Sequence, residues 1–509
     1  MSPSPAQVGF AILVLGVALI IGKLIRINVR WVQKIFLPSS IIGGFVLLFL
    51  GPSIFGAIAG GGFESAGLYT TEILQVWRAL PGLLISVVFA TLFLGVNMPN
   101  PRKAAKLAGP QLALGFAYGS GQYVLGILLT VFLLIPLFAA NPVVAALIEI
   151  GFEGGHGTAA GMRPVFDRLG FPAGGDLAVA IATVGLISGI VIGMALINWG
   201  VRRGHTEFIS GKATYSIEEQ RGLFAKDEHY AAGTMTSRPA SVEPLSLHVA
   251  LVCLAILVGW LLLQGLLWVE GLTWGRILLS DGVHLELIRY LPLFPMALLG
   301  GVLVQALARA TGLDRLIDHQ MMLRIQGLAL DFLIVSAIGS MSLGAIGANL
   351  PTFLILSVGG VLYCLAIFFF LSPRLFGRYW FERAIPEFGQ STGVTATGLI
   401  LLRTVDPELK SPAFEAFGLK QLFFEPFFGG GLVTALSVPL IYIFGPWPLF
   451  IAMAIVFVGS IAYGLIKWGP IAKRDRIEWA AEKAALANNS ASTNDVANTQ
   501  DSHIYEYAN

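Results

Sequence analysis

The chain has 509 residues, of which 56% are apolar and only 12% are charged, and its formal net charge is +2. This composition leaves too little polar surface for a water-soluble enzyme of this length, and the near-neutral charge excludes a nucleic-acid-binding protein. The only two cysteines, Cys253 and Cys364, both lie in apolar stretches, which excludes a disulfide-stabilised secreted protein.

Apolar stretches of the length that crosses a bilayer follow one another along the chain. A transmembrane helix needs about 20 mostly apolar residues, whereas an outer-membrane barrel would show short segments of alternating polarity. The stretches of helical length are residues 7–25, 35–58, 80–98, 108–138, 175–200, 246–268, 290–308, 327–346, 351–371, 422–444 and 447–467. The sequence therefore predicts an all-α polytopic membrane protein with eleven spans.

Basic residues predict the orientation of these spans. With the N-terminus outside, all but five of the 32 Lys and Arg residues fall in cytoplasmic loops or flanks, the exceptions being Arg78, Arg163, Arg168, Arg276 and Arg289. The positive-inside rule thus favours an outside N-terminus and a cytoplasmic C-terminus. Residues 1–7 carry no Lys or Arg, so no cleavable signal peptide is expected.

Polar segments divide the chain into membrane units. Residues 201–245 form a predicted cytoplasmic linker between a first membrane repeat, 1–200, and a second, 246–445. Residues 446–483 would add one transmembrane helix with a basic flank, and the polar tail 484–509 is predicted to be disordered.

Each half also contains a glycine-rich segment that is too polar to span a bilayer. The first lies near 143–165 and the second near 384–403, each between the fourth and fifth spans of its half. They share a local pattern, Thr158-Ala-Ala-Gly161 in the first and Thr395-Ala-Thr-Gly398 in the second.

Paired interrupted segments are typical of transporters with inverted repeats, where they mark a binding site near the bilayer midplane. Because each half has five spans, the second half would enter the membrane from the opposite side. The predicted fold is therefore two inverted five-helix repeats with re-entrant hairpins, plus an extra C-terminal span. A competing interpretation is simple helix packing, because the spacings Gly157 to Gly161 and Gly389 to Gly393 match the Gly-x-x-x-Gly packing pattern.

Two motifs carry a resemblance to a known family. The run Gly154-Gly-His-Gly-Thr158 and the run Gly393-Val-Thr395-Ala-Thr397 resemble the two hairpin motifs of the bacterial sodium/glutamate symporter family, and the similarity extends from the first span to about Leu440. The resemblance implies a dimeric protein of the bacterial inner membrane that takes up glutamate with sodium by alternating access. Re-entrant hairpins would enter from both sides of the membrane.

The sequence departs from the family pattern at three places. Glu153 stands where the family usually has a small residue, and the second hairpin reads Phe-Gly-Gln-Ser-Thr-Gly from Phe388 to Gly393. The last core helix has Glu425-Pro426, three glycines and Thr434 where an Asp and an Asn are expected.

The candidate site residues are the glycines, hydroxyls and ionisable groups of the two segments. His156 either contacts a substrate carboxylate or relays a proton, or it is a structural hydrogen-bonding residue. The predicted substrate-binding residues are Gly154, Gly155, His156, Gly157, Thr158, Arg163, Ser391, Thr392, Gly393, Thr395 and Thr397. Glu153, Thr395 and Thr397 are the predicted sodium ligands, while Glu149, Glu387 and Glu425 are further cation-binding candidates.

The functional hypothesis is a secondary active transporter rather than an enzyme. It would couple sodium to the symport of L-glutamate, without an organic cofactor or nucleic acid, as a homodimer in the lipid bilayer. The alternative is a sodium- or proton-coupled transporter of another small carboxylate or amino acid. Neither a channel filter nor a protease dyad is evident in the sequence.

Overall fold

The computed structural model describes residues 3–60, 62, 64–96, 101–209, 216–225, 228, 230–277 and 285–482, with no description of the side chains of 101–106. Within this part of the chain, ten helices are long and apolar enough to cross a membrane. They are α1 (Pro5–Asn28), α2 (Ser39–Ala59), α3 (Thr71–Thr91), α4 (Leu107–Phe138), α5 (Ala173–Arg202), α6 (Pro244–Leu272), α7 (Leu293–Ala310), α8 (His319–Gly339), α9 (Leu350–Leu375) and, after two shorter helices, α12 (Pro446–Glu482). The prediction of a polytopic all-α protein is confirmed. The predicted disordered tail, 484–509, lies outside the described residues.

The predicted span 422–444 is not one helix. Two shorter helices take its place, α10 (Ala413–Phe424) and α11 (Leu432–Phe444). Pro426 lies in the turn between them, where Gly429 and Gly430 have φ angles of +70° and +112°. Such angles end a helix, and glycine adopts them without steric cost.

Small residues bring the first two helices of each half into close contact. A Cβ built on Gly22 of α1 would lie 2.2 Å from the carbonyl oxygen of Ser39 in α2. In the second half, a Cβ on Gly259 of α6 would lie 2.5 Å from the carbonyl oxygen of Met296 in α7. Close backbone approach through small residues is the usual way in which helices associate in lipid.

The two halves are also joined by crosswise contacts. Helix α2 packs on α8, where a Cβ on Gly44 would lie 2.7 Å from Cβ of Ile338. Helix α7 packs on α3, where a Cβ on Gly301 would lie 2.4 Å from the carbonyl oxygen of Ala90. The second helix of each half therefore contacts the third helix of the other half.

The two glycine-rich segments lie inside this helical assembly. The first interrupted segment, residues 142–168, consists of short helices that include Leu147–Gly151, Gly155–Gly161 and Arg163–Arg168. The second interrupted segment, Trp380–Val405, is a helix with a break at Gly393 and Val394. Helix α5 packs along the second segment.

Candidate functional site

The two interrupted segments touch where their helical conformation is broken. Gly155 has a φ of +62° and Val394 a φ of +66°. A Cβ built on Gly155 would lie 2.1 Å from Cγ1 of Val394. Position 155 therefore requires glycine, both for its backbone conformation and for the space that a side chain would fill. The structure brings the two predicted motifs into direct contact.

The break in the second segment places a β-branched residue in the left-handed region. Gly393 has φ −153° and ψ 41°, and Val394 follows with φ 66° and ψ 167°. The hydroxyl of Thr397 donates to the carbonyl oxygen of Gly393. A bulky residue at positive φ is uncommon and costs about 1–3 kcal/mol, which is characteristic of functional sites and switch regions.

Residues before and after this break lie against each other. A Cβ on Gly389 would lie 2.8 Å from Cα of Gly398, and a Cβ on Gly398 would lie 2.4 Å from the carbonyl oxygen of Pro386. Gly389 therefore has a close packing contact across the break. Gly157 and Gly161 also have close packing contacts, because their Cβ positions face Ile85 of α3 at 3.0 and 2.9 Å.

Glu153 joins the two segments. The Ser391 hydroxyl donates to its Oε1 at 2.7 Å, and the Glu153 residue is 3% exposed. Its Oε2 is buried and accepts no hydrogen bond from the described residues. The Ser391 carbonyl oxygen in turn accepts from Nε2 of Gln122 in α4 at 2.7 Å. A buried carboxylate oxygen without a partner is costly, and a bound cation would satisfy it.

Glu149 joins the first segment to the turn before α11. Its Oε1 accepts from the backbone N–H of Gly429 at 2.8 Å and from the Thr434 hydroxyl at 2.7 Å. Its Oε2 accepts from the Tyr123 hydroxyl of α4 at 2.5 Å. The same turn contacts Thr158, whose hydroxyl donates to the Gly429 carbonyl oxygen at 3.2 Å. Glu149 is therefore fully hydrogen-bonded, in contrast to Glu153.

A buried lysine lies beside the second segment. Nζ of Lys420 in α10 is 3.0 Å from Oε2 of Glu387, and both side chains are fully buried. Nζ also donates to Oε1 of Gln390 at 3.0 Å and lies 3.8 Å from the centroid of the Phe424 ring. The basic-residue pattern places Lys420 in a cytoplasmic flank, which remains a prediction, whereas the burial of its side chain is not expected from that pattern.

A chain of polar contacts extends from this ion pair to the break. Gln390 and Gln421 exchange two amide hydrogen bonds, of 3.1 and 2.5 Å. Gln421 Nε2 donates to the Thr395 hydroxyl at 3.4 Å, and this hydroxyl donates to Oε1 of Glu425 at 3.3 Å. Thr395 and Glu425 are half-buried and Ala396 is exposed, so this side of the site is open.

Three of the predicted substrate-binding residues form hydrogen bonds or ion pairs with other groups of the protein. Arg163 forms a 2.7 Å ion pair with Asp176 and donates to the Ser340 hydroxyl at 3.2 Å. Nε2 of His156 lies 3.0 Å from the Thr183 hydroxyl of α5, which is the contact expected of a structural histidine. The Thr392 hydroxyl donates to the carbonyl oxygen of Phe388 within its own helix at 2.8 Å.

The sequence did not indicate that α10 contributes Lys420 and Gln421 to the candidate site. Lys420 and Gln421 immediately precede the predicted span 422–444, a position at which polar residues indicate a loop flank. One signal was available, because Phe417 and Phe424 stand three residues before and four residues after Lys420. Aromatic residues at these spacings share a helix face with the lysine and can cover its charge.

A family described as Sodium/glutamate symporter matches residues 7–384, which is most of the chain. The match ends inside the second interrupted segment, before Thr395 and Thr397. No curated protein matches the chain.

Proposed function

The chain belongs to the sodium/glutamate symporter family, and from this membership we propose that glutamate and its coupling ion bind where the two interrupted segments meet. The protein is a multi-pass membrane transporter that couples the symport of L-glutamate to sodium. The family match favours no alternative substrate. The observation that carries the proposed site is the contact of Gly155 with Val394, around which the buried polar groups of both segments gather.

We further propose that the halves are inverted repeats and that both interrupted segments are re-entrant hairpins. The reciprocal packing of α2 on α8 and of α7 on α3 supports a pseudo-twofold relationship, because it exchanges the same helices between halves. The contact of Gly389 with Gly398 across the break supports a chain that folds back on itself. Non-helical backbone at membrane depth is stable only if protein buries it or it lines an aqueous cavity.

The charge of the cluster favours cation binding. The two interrupted segments and the end of α10 carry four buried or half-buried carboxyl groups, those of Glu149, Glu153, Glu387 and Glu425, whereas Lys420 supplies the one ammonium group among their described contacts. Buried ions need opposite charges close by. Sodium and the α-ammonium group of the substrate would supply the missing positive charge.

Sodium fits best beside Glu153. Its free Oε2 is a hard oxygen ligand, and the hydroxyls of Thr395 and Thr397 are the further ligands proposed from the sequence. Among the described residues there is no group of three or more His, Cys, Asp or Glu side chains that could hold a metal ion. A site with one carboxylate completed by hydroxyl and carbonyl oxygens suits a monovalent cation.

The substrate carboxylates would bind on the open side of the break. Thr395 presents a hydroxyl there, and the Gln421 amide donates to it. Alternating access would require the contact between the segments to open and close around the ligands. Dimerisation, the inner membrane location and the outside N-terminus remain predictions.

Uptake into proteoliposomes tests the function directly. The purified chain should accumulate labelled glutamate when an inward sodium gradient is imposed, and it should not do so when choline replaces sodium. A proton gradient alone should drive no uptake. Uptake that follows the proton gradient and ignores sodium would contradict the proposed coupling.

A further inference from the structure

A polar cavity lies at the end of α1, away from the transport site. Its volume is about 400 Å³, and it lies between α1, the short helix Arg30–Lys34 and a linker helix, Ile217–Arg221. Its polar lining consists of three cationic and three carboxamide side chains, those of Arg30, Lys34, Arg221, Asn28, Gln33 and Gln220. No carboxylate from the described part of the chain lines the cavity.

Two other basic residues hold the linker helix in place. Nζ of Lys23 donates to the carbonyl oxygens of Gly222 and Arg221 at 2.5 and 3.4 Å. Nε of Arg26 donates to the Gln220 carbonyl oxygen at 3.5 Å. These bonds satisfy carbonyl groups that a helix C-terminus leaves without partners.

The cations that line the cavity have neither such carbonyl partners nor counter-ions among the described residues. Arg30, Lys34 and Arg221 are exposed, and none of them forms an ion pair with a residue in the described part of the chain. Glu218 and Glu219 belong to the linker helix but do not line the cavity. Among the residues that the structure describes, the cavity therefore presents three positive charges without a negative counterpart.

An apolar face of α1 leads to this cavity. Phe10, Leu13, Val17, Ile20 and Leu24 are 56, 66, 56, 62 and 52% exposed, and their spacing puts them on one side of the helix. The face ends one helical turn before the cavity. Trp31, 64% exposed, stands next to Arg30, and tryptophan is enriched at membrane–water interfaces.

We propose that the cavity binds the phosphate group of an anionic phospholipid whose acyl chains lie along the exposed face of α1. Arginine suits phosphate because its planar guanidinium donates two parallel hydrogen bonds. Basic pockets at the ends of transmembrane helices bind anionic headgroups, and each cation there contributes about a fivefold preference. The continuity of the cavity with an apolar membrane face favours a lipid over free phosphate. The bound lipid joins α1 to the linker between the two halves.

Native mass spectrometry of the full chain tests the proposal. The protein is purified in detergent and given phosphatidylglycerol and phosphatidylcholine in equal amounts. The wild type should retain phosphatidylglycerol preferentially, and the combined variant Arg30→Gln, Lys34→Gln and Arg221→Gln should lose that preference. The matched control Arg203→Gln, Arg238→Gln and Arg315→Gln removes three exposed charges elsewhere and should keep it. Equal retention of both lipids by the wild type, or equal loss in both triple variants, would overturn the proposal.

Two further measurements cover the remaining outcomes. If the triple variant does not fold, Arg30→Gln alone should reduce the preference about fivefold, and an unchanged preference contradicts the proposal. Thermal unfolding of delipidated protein separates the two sources of phosphate. Phosphatidylglycerol should raise the unfolding midpoint and inorganic phosphate should not. An equal rise with inorganic phosphate alone would assign the cavity to a free anion and refute the lipid site.

Discussion

Gly155 and Val394 lie in contact at the point where the two interrupted segments meet, and both have positive φ angles, +62° and +66°. The size of the side chain that fits at position 155 is therefore limited by a residue that is far away in the sequence. A Cβ at position 155 would lie 2.1 Å from the valine Cγ1, which is closer than non-bonded carbons can approach.

The first prediction follows from this contact. Gly155→Ala should reduce the initial rate of sodium-driven glutamate uptake at least about tenfold, because the methyl group strains the backbone and overlaps Val394. Adding Val394→Ala should restore part of the rate, because it removes the overlap.

Gly170→Ala is the matched control for this prediction. Gly170 also has a positive φ, +72°, but no atom of the described chain beyond its sequence neighbours lies within 4 Å of its Cβ position. This variant should transport nearly as the wild type does. Equal losses in Gly155→Ala and Gly170→Ala, with no rescue by Val394→Ala, would show that the contact is unimportant.

The second prediction concerns sodium. Glu153→Gln keeps the size of the side chain and removes its charge, and we expect the sodium concentration for half-maximal uptake to rise about tenfold or more. Glu270→Gln is the control, because Glu270 is also buried but accepts from the Trp274 ring N–H and from the backbone N–H groups of Leu287 and Ile288. The control should lower stability without changing sodium dependence. An unchanged sodium dependence in folded Glu153→Gln protein argues against Glu153 as a ligand.

The sequence predicted the parts of the site that are local. Runs of about 20 apolar residues indicate spans, and the runs around Gly155 and Gly393 interrupt the helical pattern visibly. The family resemblance is confirmed. A break is a property of a few neighbouring residues, so it can be read from a single sequence.

The contacts between distant residues could not be predicted in this way. Nothing near Lys420 in sequence shows that its ammonium group lies against Glu387, because the positive-inside pattern places basic residues at helix ends. Likewise, Arg163 follows a predicted motif but pairs with Asp176. Single residues of the site depend on how helices pack, which composition and periodicity do not specify.

The third prediction uses the unequal exposure of matched alanines. Ala396 is exposed beside the break, whereas Ala159 in the first segment is fully buried. In a background without Cys253 and Cys364, cysteine at 396 should react with a small thiol reagent, and saturating glutamate should slow the reaction. Cysteine at 159 should react much more slowly. Rapid reaction at 159 with none at 396 would place the aqueous opening on the other segment.

The fourth prediction is the orientation of the chain. Single cysteines replacing Ser2 and Ser216, in the same background, are treated on intact cells with an impermeant maleimide. Basic residues concentrate in the linker and in the other loops that are predicted to be cytoplasmic. Ser2→Cys should therefore be labelled, and Ser216→Cys should be protected until the cells are opened. Labelling of Ser216→Cys alone on intact cells would invert the topology.

The last prediction separates the structural role of Lys420 from a role in transport. Lys420→Met leaves Glu387 without a counter-ion, and breaking a buried pair in this way destabilises a protein by about 3–5 kcal/mol. The single variant should therefore unfold at a clearly lower temperature, and Lys420→Met with Glu387→Gln should recover most of the loss. Lys410→Met is the control for an exposed pair, since Lys410 and Glu408 are 59 and 73% exposed, and it should change the unfolding temperature little.

Transport by the double variant decides the second question. If the double variant folds but does not take up glutamate, Lys420 also contributes to the transport site, whereas full transport would make the pair purely structural. A single variant as stable as the wild type would contradict the buried ion pair itself.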